Sequence, residues 1–86
     1  MKEGLIVYLA GAAEVPEGAS FTAAARALGH AGQEVKLVSP EEGFFTVEDA
    51  WHFLYTQGCG RIHLQVAAPA GPERLRPLGP AVRLCG

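Results

Sequence analysis

The sequence of 86 residues contains no asparagine and only two cysteines, one tryptophan and one methionine. Because asparagine is thermolabile, its absence beside abundant Ala, Gly, Pro, Leu and Arg is typical of a thermophile-like or GC-rich composition. Cys59 and Cys85 are too few for a disulfide framework, although one bridge between them stays open. Two thiols without such a framework predict a cytoplasmic location.

Long hydrophobic segments are also missing. The longest apolar run covers residues 5–13, with glycine allowed, and a membrane-spanning helix needs roughly 20 residues. We therefore expect no membrane partner, and we interpret the apolar start as a first strand rather than a signal peptide. Hydrophobic residues make up 49% and charged residues 19%, which excludes intrinsic disorder. The length predicts one domain over residues 1–86 with a limited core.

Basic side chains are scarce in residues 1–60, and acidic side chains are scarce in residues 61–86. Residues 1–60 carry eight acidic and three basic side chains, whereas residues 61–86 carry four arginines and one glutamate. The net charge is −2, so bulk charge gives no indication of nucleic-acid binding.

The first half of the chain predicts a β-α-β unit. Residues 5–10 form a continuous apolar run, which is typical of a central strand covered on both faces. Ser20 is positioned to cap a helix whose apolar stripe contains Phe21, Ala24, Ala25 and Leu28. A second strand follows at residues 34–39, with Val35 and Leu37 on one face and Lys36 and Val38 on the other.

The second half predicts a second helix and two strands. Thr46 and Asp49 form a capping box, Gly58 ends the helix, and its apolar stripe comprises Val47, Ala50, Trp51, Leu54 and Tyr55. Residues 61–66 alternate as a strand, and residues 81–85 form a short edge strand. The prolines after residue 68 allow at most one helical turn, between Pro72 and Arg76. The expected fold is therefore α/β, with a three- or four-stranded, mainly parallel sheet, two principal helices and the order β-α-β-α-β-β.

Residues 28–40 read Leu-Gly-His-Ala-Gly-Gln-Glu-Val-Lys-Leu-Val-Ser-Pro. This segment resembles the passage from the first helix to the second strand in Rossmann-like proteins, including glycosyltransferases and the DJ-1/PfpI group. The resemblance implies a Rossmann-like half-unit, because glycine ends the helix and an apolar strand enters the sheet. It implies nothing about chemistry, since neither family's active site has a counterpart here.

Four glutamates form the first candidate site. In a parallel sheet the loops after the first two strands meet at the carboxyl-end rim, where ligands of open α/β sheets bind. A divalent cation or a basic partner would suit this rim, and a solvated acidic surface is the alternative. The first loop lacks the glycine spacing of a phosphate site and contains Pro16, so no cofactor is predicted. The candidate ligand rim comprises Glu14, Glu17, Glu41 and Glu42.

A second candidate is the thiol and imidazole set His52, Cys59 and His63. Its spacing matches no common zinc motif and no fourth ligand is evident, so a metal stays unassigned. Cys59 lies between two glycines, which predicts an accessible thiol, and a lowered pKa would make it reactive. The alternative is a surface histidine, a turn cysteine and a strand histidine with no shared role.

A third candidate is a polar sheet face formed by Lys36, Arg61, His63 and Gln65, with Arg83 joining them. Nucleic acid is a disfavoured partner for it, because such readers place aromatic residues on their strands. A face that closes against a second copy is favoured, since small chains often form two-fold dimers. The leading prediction is a non-enzymatic binding or interaction module that forms a homo-oligomer. A small enzyme or ligand-binding protein, and a nucleic-acid binder, are the alternatives.

Overall fold

The computed structural model describes residues 2–10, 19–40, 46–71 and 74–84. They form a mixed five-stranded sheet with two helices. The elements in chain order are β1 (Lys2–Leu9), α1 (Ala19–Ala27), β2 (Gln33–Val38), α2 (Val47–Thr56), β3 (Cys59–Pro69), β4 (Leu75–Pro77) and β5 (Val82–Leu84). The predicted α/β class and the two helices are confirmed.

The strand arrangement corrects the prediction of three or four mainly parallel strands. The sheet order is β2-β1-β3-β4, and β5 also pairs with β3. β1 pairs in parallel with both β2 and β3, whereas β4 and β5 pair with β3 antiparallel. The extra strand is β4, which lies in the proline-rich tail where the sequence allowed at most one helical turn. It was missed because Pro77 interrupts the local strand pattern, while pairing with residues 67–69 of β3 stabilises the extended conformation.

β1 is the central strand that its continuous apolar run predicts. Leu5 and Val7 contact the α1 side, where Ala25 is buried. Ile6 contacts the α2 side, where Leu54 is buried. The exposed fraction is at most 1% for Ile6, Val7, Ala25 and Leu54, and it is 4% for Leu5. The two faces of the sheet therefore carry two separate hydrophobic clusters, one beneath each helix.

Helix α2 begins and ends where its capping residues predict. The backbone N–H of Asp49 donates to Thr46 Oγ1 at 3.1 Å, and the Thr46 N–H donates to Asp49 Oδ2 at 3.5 Å. Gly58 follows the helix with a φ of 88°, in the left-handed region that glycine favours. The capping box is thus confirmed.

The apolar stripe of α2 needs one correction. Ala50 and Leu54 are fully buried, but Tyr55 is 60% exposed. Tyr55 lies about 80° around the helix from Val47, which places it beyond the sheet. Its ring stacks on Trp51 instead, with centroids 5.2 Å apart.

Helix α1 starts at Ala19, so Ser20 lies in its first turn rather than before it. The side chain of Phe21 lies outside the described residues, as do Phe44 and Phe45. Ala25 supplies the buried contact that the predicted stripe requires.

Gly4 lets α2 approach the sheet closely. A Cβ atom at this position would lie 3.0 Å from Leu54 Cδ1 and 3.3 Å from Cys59 Sγ. The absence of a side chain at Gly4 therefore leaves the space that these two buried residues occupy.

β4 and β5 lie along the same edge of β3 and form one interrupted strand. Two residues of β3, Gln65 and Val66, face four residues, 78–81, between the paired segments. The Leu78 N–H donates to the Val66 carbonyl at 2.8 Å, and Gly79 adopts a φ of 96°. The inserted residues therefore bulge out of the edge while the pairing continues on both sides.

Candidate functional site

The predicted polar sheet face is only partly formed. β1 residue Leu5 pairs with both Val35 and His63, so these three positions share the α1 side. Arg61 and Gln65 lie two positions before and after His63 on the same strand, so they face the same side. Arg83 also faces this side because it pairs with His63. Lys36 pairs with Ile6 and lies on the α2 side, which corrects its assignment to this face. The correction depends on register between strands, which the sequence pattern does not contain.

Gln65 belongs to the interior rather than to an open surface. The residue is 9% exposed. Its Nε2 donates to the Val66 carbonyl at 2.8 Å and to the Gly79 carbonyl at 3.0 Å. Its amide therefore holds the bulge between β4 and β5 against β3.

A small groove, which we call the His63 groove, lies on the α1 side of the sheet. Its volume is about 210 Å³, and its lining comprises Leu5, Leu28, His30, Gln33, His63, Gln65 and Ala81. At its margin His30 Nε2 lies 3.1 Å from Glu3 Oε2, and Arg61 Nη1 lies 3.9 Å from Glu3 Oε1. Nδ1 of His63 is buried and has no hydrogen-bond partner among the described residues.

The set His52, Cys59 and His63 is not brought together. His52 is exposed on α2 beside Glu48, with Nε2 3.8 Å from Oε1. Cys59 lies in the cluster beneath α2, whereas His63 lies on the α1 side of the sheet. Within residues 2–10, 19–40, 46–71 and 74–84, no group of three His, Cys, Asp and Glu residues is arranged to hold a metal ion.

Cys59 is a buried free thiol, not the accessible one that its flanking glycines predict. It pairs with Lys2 at the start of β3 and is 3% exposed. Burial raises the pKa of the Cys59 thiol, with Glu34 adding to the rise and Lys2 opposing it. A raised pKa disfavours the thiolate that a nucleophile requires.

The acidic rim of Glu14, Glu17, Glu41 and Glu42 lies outside the described residues. Its roles as a cation site or as the site of an enzyme stay predictions. The nucleic-acid alternative also stays a prediction, with Arg61 and Arg83 as its described basic residues.

A different site, which the sequence analysis missed, runs along the outer edge of β2. We call it the β2 groove. Its volume is about 280 Å³, and it is lined by Thr22, Arg26, Glu34, Val35, Lys36, Leu37 and Phe53. Four consecutive residues of β2 thus border open space between α1 and α2.

The side chains of β2 match this position at the edge. Residues 33–37 are all half-buried, whereas residues 4–7 of the neighbouring β1 are buried. Lys36 Nζ lies 4.4 Å from the ring centroid of Phe53, so α2 orients this lysine through a cation–π contact. Glu34 and Lys36 share the α2 side of the edge, and Val35 and Leu37 share the α1 side.

The other edge of the sheet differs in chemistry. β4 and β5 have three residues each, and Pro77 and Pro80 lack the backbone N–H that a further strand would need. Short strands, prolines and bulges are devices that prevent edge-to-edge pairing. β2 has six residues and no proline.

Among the residues that the structure describes, the chain thus forms a mixed α/β sheet with a short, interrupted edge at β4 and β5 and a longer, proline-free edge at β2. The chain matches no protein-family model, no curated protein and no solved structure. None of the described helices has the length and apolar character needed to cross a bilayer.

Proposed function

We propose that this protein is a non-enzymatic interaction module that self-associates through the outer edge of β2. The observation that carries the proposal is the β2 groove, which borders Glu34, Val35, Lys36 and Leu37 at the end of the sheet. An edge strand presents backbone donors and acceptors on its outer side, and a second strand can pair with them.

The limited core supports self-association. A chain of this size buries only about 60–65% of the surface that its unfolded form exposes. Pairing through β2 would cover the half-buried side chains Val35 and Leu37 without rearranging the two hydrophobic clusters. A closed two-fold dimer is the commonest way in which soluble chains form such a contact.

Two finer proposals accompany this one. The order β2-β1-β3, with a helix in each parallel connection, supports a Rossmann-like half-unit that the antiparallel β4 and β5 extend. The free thiol of Cys59 supports a cytoplasmic location, where thiols stay reduced.

Light scattering coupled to gel filtration tests self-association, over concentrations from about 1 μM to 1 mM, which span the weak-to-moderate range of affinities. We expect the mass to rise from that of one chain toward that of two. A single-chain mass across the whole range would overturn the proposal.

Hydrogen–deuterium exchange at both ends of that range locates the contact. We expect amides of Gln33–Val38 to exchange more slowly at high concentration, because a second strand protects the outward-facing N–H groups. Amides of Val82–Leu84 serve as the internal control and should not change. Concentration-dependent protection at β5 without protection at β2 would place the contact elsewhere and contradict the proposed edge.

A further inference from the structure

We infer that two copies pair antiparallel along β2, about a two-fold axis at Val35, so that Glu34 of each copy faces Lys36 of the other. The inference rests on the self-association proposed above and adds the partner, its direction and its register. The observation behind it is a self-complementary charge pattern at the accessible edge of the sheet, in which Val35 separates one acid from one base.

Symmetry restricts the registers available to this edge. In an antiparallel pair, directly opposite residues point to the same face of the sheet. A two-fold axis perpendicular to the sheet must therefore pass through a residue position and pair that residue with its own copy. Within β2 the central position is Val35 or Lys36, because a centre nearer either end leaves fewer residues paired.

The two central registers differ in electrostatics. An axis at Lys36 places the two Lys36 side chains opposite each other, and like charges in opposite positions are destabilising. An axis at Val35 pairs Glu34 with Lys36 twice and Val35 with Val35, while Gln33 faces Leu37. Only the second arrangement places unlike charges opposite each other across the two strands.

The packing around β2 favours the same arrangement. Lys36 is oriented by the Phe53 ring, so its ammonium group lies on the α2 side of the edge, the side that Glu34 shares. Val35 lies on the α1 side with Leu37 and Leu28, where a second Val35 would extend an existing apolar cluster.

Charge reversal tests the register. In Glu34→Lys every cross-strand ion pair becomes a lysine–lysine contact, and we expect the dimer dissociation constant to rise roughly tenfold or more. Lys36→Glu should have the same effect by placing two glutamates opposite each other. The double variant Glu34→Lys/Lys36→Glu should recover the dimer, because the pairs are exchanged rather than lost.

Mixing the two single variants gives the sharpest readout. The Glu34→Lys chain presents two lysines and the Lys36→Glu chain presents two glutamates, so an equimolar mixture should form a one-to-one heterodimer that native mass spectrometry separates by mass. Glu48→Lys makes the same acid-to-base change on the exposed surface of α2 and is the matched control. It should dimerise as the wild type does.

Circular dichroism melting verifies that each variant is folded, since Lys36→Glu removes a contact with Phe53. A cross-link avoids that substitution altogether. In a Cys85→Ser background, Val35→Cys should form an intermolecular disulfide when diamide takes up the two thiol hydrogens, because directly opposite Cα atoms lie within disulfide reach. Leu37→Cys is its control, since the two copies of residue 37 would be about 13 Å apart along the strands.

The outcomes separate the two proposals. A wild-type chain that stays monomeric overturns self-association and this register together. A dimeric wild type with an equally tight Glu34→Lys dimer, or with single variants that do not associate when mixed, overturns the register and leaves self-association standing. Cross-linking at Leu37→Cys rather than at Val35→Cys would likewise overturn the register and leave self-association standing.

Discussion

Gln65 on β3 donates from its Nε2 to the carbonyl of Gly79 at 3.0 Å, across the bulge that separates β4 from β5. This bond joins a residue in the middle of a long strand to a glycine in the left-handed region, with a φ of 96°. Together with the bond from the Leu78 N–H to the Val66 carbonyl, it ties the inserted residues to β3 between the paired segments β4 and β5.

Replacing Gln65 with leucine should therefore destabilise the fold. The Gly79 carbonyl would lose its donor, whereas the Val66 carbonyl would still accept from the Leu78 N–H. We expect a loss of about 1–2 kcal/mol in the free energy of unfolding, measured by urea denaturation. Gln57→Leu, at an exposed position after α2, is the matched control and should change stability by less than about 0.5 kcal/mol. Equal losses in both variants would contradict the role of Gln65.

The capping box of α2 makes a second prediction. Thr46→Ala removes the oxygen that accepts from the Asp49 N–H and should cost about 1 kcal/mol in the free energy of unfolding. Thr22→Ala removes the same atoms from an exposed position within α1, where alanine is the better helix former. Thermal and urea melts should show Thr46→Ala below the wild type and Thr22→Ala at or above it. The reverse order would exclude a stabilising cap.

Gly4 leads to a third prediction, because its missing Cβ is the space into which Leu54 and Cys59 pack. Gly4→Ala should overpack this contact and cost about 1–3 kcal/mol. Leu54→Val removes the atom nearest to the new methyl group, at 3.0 Å, and leaves a cavity of its own. In a double-mutant cycle, the two changes together should destabilise less than the sum of the single changes. Additive losses would show that the methyl group and Leu54 do not compete for space.

The buried thiol of Cys59 gives a pH dependence. Its pKa in the folded chain lies above the ordinary value of 9.0 because burial disfavours the thiolate. The folded chain therefore keeps this proton at pH values where the unfolded chain has released it, so stability falls as the pH rises from about 9 toward the raised pKa. Below about pH 9 the thiol is protonated in both the folded and the unfolded chain, so it does not change the free energy of unfolding with pH.

Urea denaturation of the wild type and of Cys59→Ala, from pH 7 to pH 10.5, isolates this contribution, since Cys85 and the other titrating groups are common to both. We expect the difference in free energy of unfolding between the two proteins to shrink as the pH rises above about 9. A difference that is constant across the range would contradict a raised pKa. In native Cys85→Ser protein, Cys59 should also react with iodoacetamide more slowly than in the same protein in urea.

The sequence predicted those elements whose signals are local. The continuous apolar run of β1 specified burial on both faces, and the capping box with Gly58 fixed both ends of α2. Alternation within β2 correctly separated Val35 from Lys36. Each of these features depends on residues that are close together in the sequence, within one helix or within one strand.

The features that were missed depend on pairing between distant segments. Lys36 was assigned to the face of Arg61 because the sequence does not state the register that β1 sets between β2 and β3. The strand Leu75–Pro77 was missed because it is stabilised by pairing with β3 and by the packing of Leu75 against the cluster beneath α1, and both contacts join segments that are distant in sequence. The β2 groove was missed for the same reason, since the position of β2 at the end of the sheet follows from strand order. The pattern Glu-Val-Lys was visible in the sequence, but its meaning depends on that position.

The unequal edges of this sheet would also limit how far the proposed assembly could proceed. The proposed contact through β2 would use the same surface on both chains and would be closed once it had formed. The resulting ten strands would begin and end in the short segments of β4 and β5, where Pro77 and Pro80 withhold backbone donors from any newcomer. In such a dimer the interrupted outer strand would stop further pairing, which favours a finite pair of chains over a growing fibril.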